Sequence, residues 1–353
     1  MPIELGNRDR VIRTIEHRDI DRIPLFHRAN SNLNDYIKKT YNFKNDNDIL
    51  SFYGSDAITT YVVKNNKYYT EADKDGIYTD PFGNKIKIIQ NGDQAVIEPI
   101  LADITEVDEI EKVKWPDKDF IDIEANIKAA EAARSTGLAV YGGIWASLFT
   151  FARTIMGEEN LLVNMLINPE VVEKLVERLT DFYIEMNDIY FNACSKYIDI
   201  FYFGSDFGTQ TSMFISRDMF CRFFKPHIKK LSDHAKNFGL KVMYHTCGSI
   251  SSIIPDLIEC GIDILDPVQV SCEGMDPVVL GEKFKNNIAF HGGISSQKTL
   301  PFGSAEEVRD EVINAIKAFG PLGYIASPDQ DMIGDIPLEN IDIMFKTIRE
   351  YKL

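Results

Sequence analysis

No stretch of the 353-residue chain comes near 18 consecutive apolar residues, so nothing in it reads as a membrane-spanning helix. The first residues, Met-Pro-Ile-Glu-Leu-Gly-Asn-Arg, lack the basic segment and apolar run of a secretory leader. Cysteine is scarce: Cys194, Cys221, Cys247, Cys260 and Cys272 make an odd, thinly spread set, which argues against a disulfide framework. These shortages together predict a cytoplasmic protein. Positive charge is short as well. With 38 Lys and Arg against 54 Asp and Glu, the formal net charge is −16, and no basic stripe interrupts it. Nucleic acid and anionic membranes are therefore not expected partners. A solvated acidic surface is the simple account of the charge. No Gly-x-Gly-x-x-Gly turn follows a strand-like run, and no phosphate loop, internal repeat or low-complexity tract is present.

What is present is material for a large core. Apolar residues make up 44% of the chain and charged residues 26%, and a chain of this length can bury roughly 75% of its unfolded surface. Short β-branched or aromatic runs alternate with helix-period segments. The candidate strands are Ile23–Phe26, Ala57–Val62, Gly137–Tyr141, Asp199–Phe203, Lys241–His245, Asp263–Leu265, Ile288–His291 and Gly323–Ala326. Helices are expected over Pro169–Cys194, Arg217–Phe238, Ser251–Cys260, Ser304–Phe319 (with a Ser304/Glu307 capping box) and Leu338–Tyr351. Eight strands alternating with helices predict an α/β fold, a (β/α)8 TIM barrel, as one domain over residues 1–353. A doubly wound open sheet is the alternative. Between the second and third strands, at about 67–100, Asp75-Gly76, Phe82-Gly83-Asn84 and Asn91-Gly92-Asp93 punctuate alternating residues. This predicts an antiparallel hairpin insertion, placed as a lid, a docking edge or plain surface.

In such a barrel the active site lies at the C-terminal ends of the strands. Polar residues follow five consecutive strands there: Gly204–Gln210, His245–Gly248, Asp266–Gln269, His291–Gly293 and Ser327–Asp331. His245-x-Cys247 is the sharpest signal. An imidazole and a thiol two residues apart on an extended strand end project to the same side and can share one zinc ion. A strand-end histidine beside a buried thiol is the plainer alternative. A third ligand is available from Asp331, Asp329 or Asp206. Asp331 completes the expected set with His245 and Cys247. Asp206, His291 and Gln330 are the expected catalytic residues. Asp56, Trp145, Gln210 and Asp329 are expected to bind substrate, with Trp145 and Phe149 able to wall a pocket or simply fill the core.

These segments resemble the uroporphyrinogen decarboxylase superfamily, and more closely its cobalamin-dependent methyltransferase branch. The resemblance rests on Arg8-Asp9-Arg10-Val11 with His17–Pro24, on Gly204–Gln210 with Ile215-Ser216, on Tyr244–Gly248, on Ile254–Ile258 with Gly261–Leu265, and on Ile336–Ile341. It implies a (β/α)8 barrel, zinc, and a methyl group moved between a small methylated compound and a corrinoid carried on a partner protein. Two departures sharpen the expectation. The decarboxylases proper carry Arg-Gln-Ala-Gly-Arg after the first strand, where this chain has Phe26-His27-Arg28-Ala29-Asn30. One arginine does not match a polycarboxylate substrate, and the −16 charge worsens the mismatch. The thiol-activating methyltransferases place a cysteine seven residues before Pro-Leu-Glu-Asn, where this chain has Gln330, a poor zinc ligand. An oxygen-richer donor set suits an ether oxygen better than a thiol, so a methoxylated compound is the expected substrate. The alternatives are decarboxylation, methylcobalamin-to-thiol or folate transfer, and a non-catalytic barrel that holds a corrinoid partner or ligand.

Overall fold

The computed structural model describes residues 4–89 and 94–353. It contains the strands β1 (Ala57–Thr59), β2 (Ile77–Thr79), β3 (Lys85–Ile88), β4 (Gln94–Glu98), β5 (Ala139–Gly142), β6 (Ile200–Gly204), β7 (Lys241–His245), β8 (Ile264–Val268), β9 (Ala289–Ile294) and β10 (Tyr324–Pro328). Seven of them form one sheet in the order β1-β5-β6-β7-β8-β9-β10, and every pair is parallel. Helices alternate with these strands, as a curled parallel sheet requires. The result is a TIM-barrel-like α/β fold.

The first expected strand, Ile23–Phe26, is reduced to a single parallel bridge between Leu25 and Ala326. Its backbone still spans the gap between β10 and β1. The Ala326 amide donates to the Pro24 carbonyl at 2.9 Å, the Phe26 amide to the Ala326 carbonyl at 3.0 Å, and the Asp56 amide to the Leu25 carbonyl at 2.8 Å. A regular ladder fails here for two local reasons. Pro24 has no amide hydrogen, and the Leu25 amide donates to the Asp56 carboxylate instead, at 2.9 Å.

The barrel interior is a separate apolar cluster that includes Phe26, Ala57, Tyr141, Met243 and Ile325. Val11 and Ile15 of the helix Asn7–Ile15 join it, so this helix plugs the N-terminal end. Arg10 on the same helix pairs with the fully buried Asp56 at 2.6 Å, and Arg22 reaches the other Asp56 oxygen at 2.7 Å. A larger apolar cluster fills the space between the sheet and the outer helices.

Other elements follow the sequence pattern, with instructive differences. The helix Pro169–Cys194 is present as expected. The Ser304/Glu307 capping box is made, and opens the helix Ala305–Phe319. The expected helix Arg217–Phe238 is two, Arg217–Phe223 and Lys225–Asn237, because Pro226 offers no amide to the carbonyl one turn back. The insertion is a three-stranded antiparallel sheet, β2-β3-β4. Its turn residue Phe82 packs on Phe151 and Phe182, with ring centroids 4.5 and 5.4 Å apart. That anchors the insertion on the outer helices. Asn91-Gly92-Asp93 lies outside the described residues. Among those described, no helix is long and apolar enough to cross a membrane.

Removing one partner of a buried ion pair strands the other. Asp56→Ala leaves Arg10 with Asp21 alone and takes the acceptor from Arg22 and the Leu25 amide, and it is expected to destabilise the fold by about 3 kcal/mol, measured as a lower urea midpoint.

Candidate metal centre and substrate cleft

Strand register brings the polar strand ends together. Gly204 pairs with His245, His245 with Asp266, and Ile325 with His291. The loops after β6 and β7 then pack backbone to backbone. The Ser205 amide donates to the His245 carbonyl at 3.0 Å, and the Gly208 amide to the Cys247 carbonyl at 3.2 Å. A Cβ on Gly204 would sit 2.0 Å from that His245 oxygen, so only glycine fits. The Asp206 carboxylate accepts the Cys247 amide at 3.1 Å, which fixes one loop against the other.

Three donor atoms meet at this seam. His245 Nε2 lies 3.1 Å from Cys247 Sγ and 3.4 Å from Asp206 Oδ1, and the donor atoms of the trio all lie within 4.8 Å of one another. Tetrahedral zinc, with ligands about 2.0–2.3 Å away, spaces neighbouring ligands by roughly 3.3–3.7 Å. The trio fits that spacing with little movement. Gln330 Nε2 donates to Cys247 Sγ at 2.8 Å from the side of β10.

Behind the trio sits Asp266, fully buried. Its Oδ2 lies 2.7 Å from His245 Nδ1 and accepts the Tyr202 hydroxyl at 2.6 Å. Its Oδ1 lies 2.6 Å from His291 Nδ1, and the Arg28 guanidinium approaches at 3.1 Å. Burial pushes the Asp266 carboxyl up. The Arg28 charge and the bonds from His245 and His291 outweigh that and hold it well below the usual range, so it is ionised. Burial likewise disfavours a charged His245, yet Asp206 and Asp266 raise its pKa well above the ordinary value. Asp206 is itself lowered, the bond from His245 overcoming burial. With Nδ1 held on a carboxylate, the imidazole directs Nε2 at Cys247 and Asp206.

Two cavities flank this cluster. One, of about 430 Å³, is lined by Phe26, Arg28, Ile58, Tyr141, Tyr202 and His291 among others. A second, of about 210 Å³, adds Trp145 and shares Thr59, Tyr61 and Tyr202 with the first. The Trp145 ring lies 5.6 Å from that of His245. A larger cavity, about 630 Å³, opens beside Phe302 and Glu311 and contains none of the donor residues.

The uroporphyrinogen decarboxylase (URO-D) family matches residues 76–351 of the chain. The chain belongs to the URO-D family. Its backbone is similar to that of a methyltransferase from Methanosarcina mazei, with a TM-score of 0.70 and 17% identity over 98% of this chain and 99% of that one. It is more distantly similar to a B12-independent methionine synthase from Shewanella sp. W3-18-1, with a TM-score of 0.47 and 14% identity over 85% of this chain and 82% of that one. The curated proteins contain no match.

In this URO-D barrel the residues singled out from sequence divide into three groups. Asp206, His245, Cys247 and Gln330 come together at the seam, and His291 joins them through Asp266. Trp145 stands between the seam and the smaller cavity. The others do not join the trio. Asp331 is exposed and holds Arg28 at 2.8 Å, so Asp206 takes the third place in the trio. Asp56 is at the plugged end, saturated by Arg10 and Arg22. Gln210 is exposed, and its backbone carbonyl accepts the Glu273 amide. Phe149 is fully buried on Phe207, a core residue. Asp329 is buried and accepts the Ser296 amide and hydroxyl on Oδ1, while Oδ2 has no partner. Sequence reasoning passed over Asp266 and Tyr202. Asp266 stood among the polar residues after its strand, but nothing in its neighbours marked it as the shared partner.

Burial pushes the Asp329 carboxyl up to about 6 despite the bonds from Ser296. The folded state therefore keeps a proton that the unfolded chain, with a carboxyl near pKa ~3.9, has released. That contribution is present at low pH and is lost as pH rises through about 6. Asp329→Asn keeps the Oδ1 acceptor. It is expected to flatten stability between roughly pH 4 and 6 and to gain up to about 3 kcal/mol at pH 7, read from urea unfolding of both proteins across that range.

Proposed function

We propose that this URO-D family chain is a zinc-dependent methyltransferase. It moves a methyl group between a small methylated compound, favoured as a methoxylated one, and a corrinoid carried on a partner protein. The observation that carries this reading is the Asp206–His245–Cys247 trio, backed by the Asp266 carboxylate and flanked by an aromatic cleft. One nitrogen, one oxygen and one sulfur donor leave a fourth tetrahedral position for a substrate atom, as a catalytic zinc site needs. The carboxylate beside the single thiol makes the set harder than a two-thiolate site, which favours an oxygen-bound methyl group. Zinc at this site would supply Lewis acidity at an ether oxygen, and the corrinoid would supply the cobalt that accepts the methyl group.

The chain itself contributes position and dryness. Asp266 holds the His245 Nδ1 proton, which leaves Nε2 as the ligand nitrogen. Asp206 ties the two loops through the Cys247 amide, so the ligands are set before metal arrives. Gln330 Nε2 donates to Cys247 Sγ and stands where a further ligand would otherwise lie. Trp145 and Tyr202 wall the cleft and keep water from the reacting centre. His291 faces the cleft and offers a contact for a polar group of the substrate.

His245 lies between two carboxylates and is protonated until metal binds, so loading releases a proton and tightens as pH rises. The purified chain is expected to bind one zinc ion. His245→Ala and Cys247→Ala abolish both zinc and methyl transfer, and Asp266→Ala weakens zinc by about 10–100-fold. Chelator competition and a methyl-transfer assay with a corrinoid protein check this. A wild-type chain free of zinc affinity, or alanine variants with full transfer, would overturn the metal mechanism.

A further inference from the structure

Buried polar side chains almost always find a partner, so those without one that line a cavity call for a water, an ion or a ligand. Among the described residues, three such atoms belong to side chains that line the 430 Å³ cavity: Tyr141 Oη, His291 Nε2 and His27 Nδ1. His27 stacks on Tyr53 and packs against Phe345, among the helices. Tyr141 and His291 form a pair of their own. Their rings are 6.2 Å apart, edge to face, and Phe26 packs on both, at 5.2 and 5.3 Å.

We propose that Tyr141 and His291 are a recognition pair for a hydroxyl group on the substrate. This deepens the methyltransferase reading and rests on it for the reaction, while the pocket stands on its own geometry.

The donor and acceptor roles follow from the partners. Asp266 Oδ1 is a carboxylate oxygen, so His291 Nδ1 carries the hydrogen between them at 2.6 Å. In the neutral ring Nε2 is then a bare acceptor. Tyr141 is fully buried in the barrel interior, and burial raises its pKa, so its phenol keeps its proton and can donate. One acceptor and one donor on neighbouring rings match a hydroxyl, which would give its hydrogen to His291 Nε2 and take the Tyr141 hydrogen on its oxygen. A carboxylate would face the Nε2 lone pair. An ammonium could not accept from Tyr141. A ketone would leave His291 unpaired. The cavity wall of Phe26, Tyr61 and Tyr202 suits an aromatic frame for that hydroxyl.

Tyr141→Phe is the clean test, because Oη has no partner among the described residues and its loss breaks none of their bonds. The full-length chain is titrated calorimetrically, without corrinoid, with 2-, 3- and 4-methoxyphenol and with methoxybenzene. The wild type is expected to bind at least one methoxyphenol roughly 10–100-fold tighter than methoxybenzene. In Tyr141→Phe that preference falls about tenfold or more, while methoxybenzene affinity and the melting temperature hold. His291→Leu also loses the preference. Equal binding of all four ligands by wild type, no binding of any, or a preference that survives in both variants overturns the pair. A preference that depends on Tyr141 in a chain with no methyl-transfer activity supports the pair and overturns the reaction instead. Methyl transfer that treats phenol and ether alike supports the reaction and overturns the pair.

Discussion

The candidate site depends on one buried carboxylate. Removing Asp266 from water costs several kcal/mol unless the charge is matched and hydrogen-bonded. Arg28 supplies the charge, and Tyr202, His245 and His291 supply the remaining contacts. These partners come from β6, β7, β9 and the loop after the first strand position, with Asp266 itself on β8. A single group therefore ties four successive strands and the loop after the first strand position to one another. It sets the orientation of both histidines, one toward the metal donors and one toward the cleft.

The same interaction bears on the expectation that the substrate is not a polycarboxylate. The URO-D family match covers most of the sequence, yet Arg28 stands alone in a segment that is arginine-rich in the decarboxylases it resembles. Its guanidinium is already committed, to Asp266 on one side and Asp331 on the other. The cleft beside it mixes aromatic and apolar side chains with polar ones, and its other charged lining groups, Asp46 and Asp331, are themselves carboxylates. Such a cleft favours a small, weakly charged ligand over one bearing many carboxylates.

Backbone packing is what makes the donor cluster possible. His245 and Cys247 extend along one strand end, but Asp206 reaches them only because the neighbouring loop lies directly against theirs. Gly204 permits that approach, and Gly248, with φ +92° and the Gly208 backbone 2.5 Å from its would-be Cβ, permits it from the other side. A side chain at either position would separate the loops and with them the donors. The donor cluster and the loop packing are thus one structural feature.

The sequence alone determined the barrel class, the order of its strands, the hairpin insertion and the strand ends that carry polar residues. Those follow from local periodicity and turn chemistry, which are written in neighbouring residues. His245 and Cys247 were legible for the same reason, being two residues apart. What the tertiary structure decided is which distant residues join them. Asp206 rather than Asp331 stands with the pair, because register across β6 and β7 is a through-space property and Arg28 claims the other carboxylate. Asp56 was expected to bind substrate, but it directly precedes β1 at the end plugged by the first helix, where Arg10 and Arg22 saturate it. Tyr202 and Tyr141 carry no local signature, and Asp266 had only its place at a polar strand end. Their roles arise only when the strands close into a ring and side chains far apart in the chain converge on one carboxylate and one cavity.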